Sequence, residues 1–186
     1  MTHSRTSLWL YRVIRADGVR DVVSVFPSKA GFSSGLPYGA VVGSFVRPIE
    51  GLEDKDGGGH GITPQNFAEN TVFKSLYHDV VARQALEEPG LHEEAKRSGW
   101  VYVMDHRTPT PAGTVPAEDI IGCFEARNGA IVRDPFIPNE QYRLFGRNGF
   151  FSMDDTLLHR LLEEIARRRT EIYAPSPFIY GARLIS

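Results

Sequence analysis

The sharpest hydrophobic pattern in the chain lies at Ser7–Arg15 (SLWLYRVIR), where Leu8, Leu10 and Ile14 alternate with Trp9, Tyr11 and Val13. Apolar residues on both faces predict a buried strand, with one charge, Arg12, in its middle. Asp17-Gly18 supplies the turn that ends it. Asp21–Phe26 (DVVSVF) is a second short apolar run whose spacing does not separate strand from helix. Pro27–Gly61 reads as loop with two glycine clusters, Gly31–Gly39 and Gly57–Gly61, interrupted by a possible strand at Ala40–Val46.

Further on, Thr71–Phe73 reads as a short strand. From Ser75 onward Leu76, Val80, Val81 and Ala85 recur at helical spacing until Pro89-Gly90 interrupts them. A short polar helix is expected at Leu91–Arg97 and a strand at Trp100–Asp105. His106–Thr114 is a loop, Pro116 opens a helical turn, and Ile120–Arg127 is a strand. Asn128-Gly129 then signals a type I′ hairpin returning through Ala130–Val132. Ser152 with Asp155 resembles a capping box. The helix it opens carries Leu157, Leu158, Leu161, Leu162, Ile165 and Ala166 on one face and Arg167–Arg169 near its end. This order predicts an α+β fold, a mostly antiparallel sheet with a C-terminal amphipathic helix packed on it, as one domain over residues 1–186.

Composition narrows the class. With 186 residues, 41% hydrophobic, 24% charged, 18 Gly and 12 Pro, the chain has a globular, loop-rich make-up and is not a coiled coil or a disordered tract. No apolar run approaches the ~18 residues of a membrane span. The polar start Met1–Ser7 is followed by no signal-type apolar stretch, so the expectation is a cytoplasmic protein or an effector secreted without a cleaved signal. A net charge of −2 with interspersed signs argues against nucleic acid and against a polybasic membrane anchor. The single cysteine, Cys123, excludes an internal disulfide and a cysteine-based zinc site.

The familiar catalytic motifs are missing. His60, His78, His92, His106 and His159 have no ligand spacing, so no metal site is expected. Gly57–Gly61 lacks the Lys-Ser/Thr of a phosphate loop, Cys123 sits inside a strand, and Gly-x-Ser-x-Gly does not occur. Arg12 stands out, because a guanidinium among Leu8–Tyr11 and Val13-Ile14 is costly unless an anion or several acceptors meet it. It either points outward, pairs with Asp17 or Asp21, or serves a ligand.

Leu10-Tyr11-Arg12, followed by Arg15-Ala-Asp, Asp21-Val22 and Gly31-Phe32, resembles the opening of the cholera- and pertussis-toxin-type mono-ADP-ribosyltransferases, the heat-labile enterotoxin A-chain-like family. Val72–Tyr77 before Asp79–Ala82 resembles that family's Ser-Thr-Ser strand and the helix after it. Gly99–Val103 is similar to its Gly-Tyr-Ile-Tyr strand, Val115–Gly122 to its Ile-Pro segment, and Asn139–Tyr142 to an Asn-x-x-Tyr that follows the hairpin. The matches run in order from Leu10 to Tyr142.

The resemblance implies short antiparallel strands in two packed sheets around a cleft with flanking helices. It also implies NAD+ as substrate and transfer of ADP-ribose to a macromolecular acceptor, in a toxin or effector module. Arg12 would hold the pyrophosphate and nicotinamide ribose. Ser75 would orient that arginine and a carboxylate, and Tyr11, Phe73 or Tyr77 would flank the nicotinamide. A carboxylate must stabilise the oxocarbenium-like state. The chain departs from the pattern at this step: His106–Thr114, where the family's glutamate is expected, holds no acid. Asp105, Glu118 and Asp119 are the nearest substitutes. Lys74, Leu76 and Tyr77 also depart from the Ser-Thr-Ser pattern. Alternatives to an active enzyme are a catalytically inactive transferase-like scaffold that binds a partner, and an unrelated α+β binding protein with Arg12 on its surface.

Overall fold

The computed structural model describes residues 7–26, 35–50, 61–107, 114–168, 172–174 and 179–185. The expected glycine clusters fall largely outside these residues.

Strand β1 (Leu8–Arg15) forms as the pattern predicts, with Leu8, Leu10, Tyr11 and Val13 essentially inaccessible. Gly18, at φ 118°, turns it into β2 (Gly18–Ser24), which settles the ambiguous apolar run as strand. Short β3 (Leu36–Pro37) and then β4 (Val41–Phe45), β5 (Phe67–Glu69), α1 (Thr71–Ala85) and α2 (Pro89–Ala95) follow. Strand β6 (Trp100–Met104) pairs with β7 (Ile120–Arg127), which also carries β8 (Ala130–Ile131) and β9 (Ile137–Pro138). The hairpin Asn128-Gly129 takes positive φ at both residues, 52° and 77°, as a type I′ turn requires. The chain closes with β10 (Phe145–Gly146), β11 (Gly149–Phe150), α3 (Asp155–Arg168), β12 (Ile172–Ala174) and β13 (Ile179–Ile185).

Among the described residues every strand pairing is antiparallel. One sheet runs β13-β1-β2-β4-β5 and another β6-β7-β8, with β9 on β7. With α1, α2 and α3 among these residues, this is an α+β protein. Side chains of both larger sheets, of α1 and of α3 share a single buried cluster that includes Tyr11, Phe45, Phe73, Tyr77, Phe124, Tyr142 and Leu161.

Two expectations need correction. Thr71–Phe73 is the first turn of α1, not a strand. Asn70 accepts the amide of Val72 at 3.0 Å and donates to the carbonyls of Tyr38 and Val41, so a buried cap fixes the helix start there. The strand before it is Phe67–Glu69. At α3 the capping residue is Asp154, whose Oδ1 accepts the amide of Leu157 at 2.7 Å, and the Ser152 amide donates instead to Asp105. On the face of α3, Leu161 and Ile165 are buried, Ala166 is exposed, and Glu164 is buried in its place. Glu164 is affordable because Arg167 and Arg168 both donate to it, which pulls its carboxyl down to about 2. Across the helix pair Arg160 forks onto Glu87 and Arg168 reaches Asp79.

Each larger sheet contains a glycine over which a phenylalanine from the adjoining strand or segment lies. A Cβ on Gly43 would collide with the ring of Phe67 and the carbonyl of Ala68, and one on Gly122 with the ring of Phe136 and the carbonyl of Ile137. Gly122→Ala should therefore destabilise the fold by about 2 kcal/mol through overpacking. Gly99→Ala, where the new methyl meets nothing within 4 Å, should change it by less than about 0.5 kcal/mol. Urea unfolding of the two variants beside wild type measures both, and equal stabilities would refute the packing account.

Candidate functional site

The antiparallel register sets Arg12 opposite Asp21. Arg12 Nε and Nη2 donate to the two carboxylate oxygens of Asp21 at 2.8 and 3.0 Å, and Nη2 donates also to the Ile49 carbonyl at 2.9 Å. Asp21 is fully buried and additionally accepts the Ile49 amide at 2.6 Å. Arg12 keeps 24% of its side-chain surface in contact with solvent. The guanidinium is thus held rigidly by a bidentate fork. Tyr11, on the opposite face of β1, is buried and donates its hydroxyl to the Phe26 carbonyl at 2.8 Å.

Ser75 lies in different surroundings. It is exposed on the outer face of α1, in a groove formed with Thr71, Val72, Leu76 and Arg168. Because the strand preceding the helix is Phe67–Glu69, the strand–helix junction carries Glu69, Asn70 and Thr71, and Ser75 falls one helical turn beyond it. Glu69 is engaged there by Lys74 at 2.9 Å and by the amide of Leu144. Lys74 also donates to the Tyr142 carbonyl.

Nor are the aromatic candidates placed to flank a ligand. Phe73 and Tyr77 are fully buried, stacked on each other at 6.3 Å and packed against Phe151. Of the acids, Glu118 accepts from the side chain and amide of Arg147 at 2.9 and 3.2 Å. Asp105 is buried and accepts the amides of Arg107 and Ser152, each at 3.0 Å, and the Tyr142 hydroxyl at 2.8 Å.

Among the described residues the densest polar constellation centres on Arg107, which belongs to no sequence motif and whose side chain is 3% exposed. Its Nε donates to Asp119 at 2.6 Å, Nη1 to the Gly149 carbonyl at 3.0 Å, and Nη2 to the carbonyls of Glu118 and Arg143, each at 2.7 Å. Asp119, also buried, accepts from Asn148 at 2.9 Å. Burial pushes the Asp105 carboxyl up, against the pull of Arg107 and its amide donors. It pushes the neighbouring hydroxyls of Tyr77 and Tyr142 well above the usual phenol range. The Asn139–Tyr142 motif has a structural use: Asn139 donates to the carbonyls of Ala117 and Ile120, and Tyr142 closes on Asp105.

His78 borders this cluster, its ring near Tyr142 and Phe136 and its Nε2 buried without a hydrogen-bond partner among the described residues. Burial, then the charge of Lys74, lowers its pKa to about 4. Among the described residues no group of three or more His, Cys, Asp or Glu side chains could hold a metal ion, and no helix is long and apolar enough to cross a membrane.

Comparison with known proteins returns no match among protein-family models, curated proteins or solved structures. The likeness to toxin-type transferases is carried by the quoted residues alone.

Two outcomes follow from this geometry. Tyr142→Phe should lower stability by about 1–3 kcal/mol, since it strips a donor from a buried carboxylate, and Arg107→Met by about 3–5 kcal/mol. Chemical denaturation that ranks the two the other way would contradict the network. His78 has a folded pKa below its unfolded value of 6.5, so the unfolded chain binds the extra proton. Its contribution is present above pH 6.5 and is lost as pH falls toward 4. The urea midpoint of wild type should fall between pH 7 and 5 more steeply than that of His78→Gln; parallel curves would refute the assignment.

Proposed function

We propose that the chain is a catalytically inactive, transferase-like scaffold that binds NAD+ through Arg12 and acts by binding a macromolecular partner. The observation that carries this reading is the use of the acids. Glycosyl transfer from NAD+ needs a carboxylate facing the positive charge that develops at the ribose. Asp105 and Asp119 are buried and committed to Arg107, Tyr142, Asn148 and backbone amides, and Glu118 is held by Arg147. Reaching a ligand would require any of them to break two or more hydrogen bonds.

Retention of a nucleotide rests on Arg12. A guanidinium preset by Asp21 and still 24% exposed suits a pyrophosphate better than a mobile side chain does, because little rotamer entropy is left to lose. An active mono-ADP-ribosyltransferase of toxin or effector type is the competing reading.

The deciding experiment measures NAD+ binding by calorimetry and nicotinamide release by chromatography, in wild type, Arg12→Ala and Arg12→Lys. Binding should weaken about tenfold or more in both variants, since Lys cannot reproduce the fork. Nicotinamide release should stay at background in all three proteins. Release above background in wild type that disappears with Arg12 would replace the scaffold by an enzyme. Absence of NAD+ binding to the folded wild type would remove the nucleotide from the proposal.

A further inference from the structure

Strand β6 is an outer strand of its sheet, with β7 as its neighbour on one side. The backbone bonds from Ala126 N to Gly99 O and from Asp105 N to Asp119 O set the alternation of this ladder. Gly99, Val101 and Val103 turn their amides and carbonyls toward β7, and Trp100, Tyr102 and Met104 turn theirs away from it. On that outer side the Trp100 amide is met by Ser98 Oγ at 3.2 Å, and the backbone groups of Tyr102 and Met104 bond to no described residue. Long, uncharged, unpaired edges are normally blunted by a charge, a proline or a bulge on the edge strand. Residues 100–104 (WVYVM) contain neither charge nor proline, and their alternate side chains Trp100, Tyr102 and Met104 are 42%, 46% and 37% exposed.

We propose that this edge pairs with the same edge of a second copy of the chain, antiparallel and in register about Tyr102. A two-fold axis at that residue brings Tyr102 against Tyr102, Trp100 against Met104 and Val101 against Val103. It satisfies the outward amides and carbonyls of Tyr102 and Met104 and the outward carbonyl of Trp100, whose amide exchanges Ser98 Oγ for the partner's Met104 carbonyl, and it keeps the valines of both strands on the buried face. The strand is close to a palindrome around its centre, as a self-complementary interface requires. Charge is complementary under the same axis. Exposed Glu88 lines the groove beside Met104 and His106 at one end of the edge, and exposed Arg97 stands just before Trp100 at the other. The axis brings the Trp100 end of one strand, which Arg97 precedes, to the Met104 end of its partner, where Glu88 lines the groove, so the base of each copy comes to the end of the edge that carries the acid of the other. The sheet then runs continuously from β7 of one molecule through both β6 strands to β7 of the next, a strand-addition contact.

Sedimentation equilibrium over a concentration series tests this. Wild type should show a reversible monomer–dimer equilibrium. Tyr102→Lys, which sets two like charges directly across the axis, should raise the dissociation constant about tenfold or more. Glu88→Arg should weaken association, and adding Arg97→Glu to the same chain should restore it. Both of these residues are exposed, so this pair decides the matter even if Tyr102→Lys misfolds. A wild-type monomer at every concentration overturns the proposal and leaves the edge to a foreign strand. A dimer indifferent to Tyr102→Lys and to Glu88→Arg overturns it as well, by placing the interface elsewhere.

Discussion

The buried guanidinium of Arg107 joins four stretches of chain at one point: the end of β6, the Glu118-Asp119 turn before β7, the Arg143 carbonyl and the Gly149 carbonyl. Taking a charge so far out of water is tolerable only when it is matched and its donors are filled. Here two carboxylates surround one cation, which leaves a surplus of negative charge. The donors that stabilise it are amides and hydroxyls: Arg107 N, Ser152 N, the Tyr142 hydroxyl and Asn148. The Glu118-Asp119 turn and the stretch from Arg143 to Gly149 are therefore tied to the end of β6, and Asp105 and Asp119 are part of the framework that ties them.

Much of the fold was legible because it depends on local pattern. Alternation in Leu8–Ile14 and Trp100–Met104, the turn residues Asp17-Gly18 and Asn128-Gly129, and the leucine face of α3 each act within a few residues, and each element formed where expected. The start of α1 is less legible, because Val72 and Phe73 favour a strand locally and the Asn70 cap overrides them. Asn70 as a helix start depends on the carbonyls of Tyr38 and Val41, about thirty residues earlier.

The candidate site was less legible. Arg12 is recognisable in the sequence as a charge requiring a partner, with Asp17 and Asp21 as the acids nearby, and the register of β1 on β2 selects Asp21. Arg107 gave no comparable signal. Its neighbours in sequence are polar, and its acceptors come from residues 118 to 149, so only the folded chain shows that it is buried. Ser75 fails for the related reason that a one-turn shift in the helix start carries a hydroxyl from the junction to the outer face.

The glycines beneath Phe67 and Phe136 carry an implication for how such a chain can change over time. At Gly43 and Gly122 the missing side chain is the space in which a neighbour's ring rests, so glycine and phenylalanine are in effect one inherited unit written at two distant positions. The phenylalanine can shrink by itself, but the glycine cannot then gain a methyl without a backbone shift, because the carbonyls of Ala68 and Ile137 occupy the same space as the rings. Divergence at these four positions is thereby given a direction: a pair can lose its ring and keep its glycine, and the reverse change meets backbone as well as side chain.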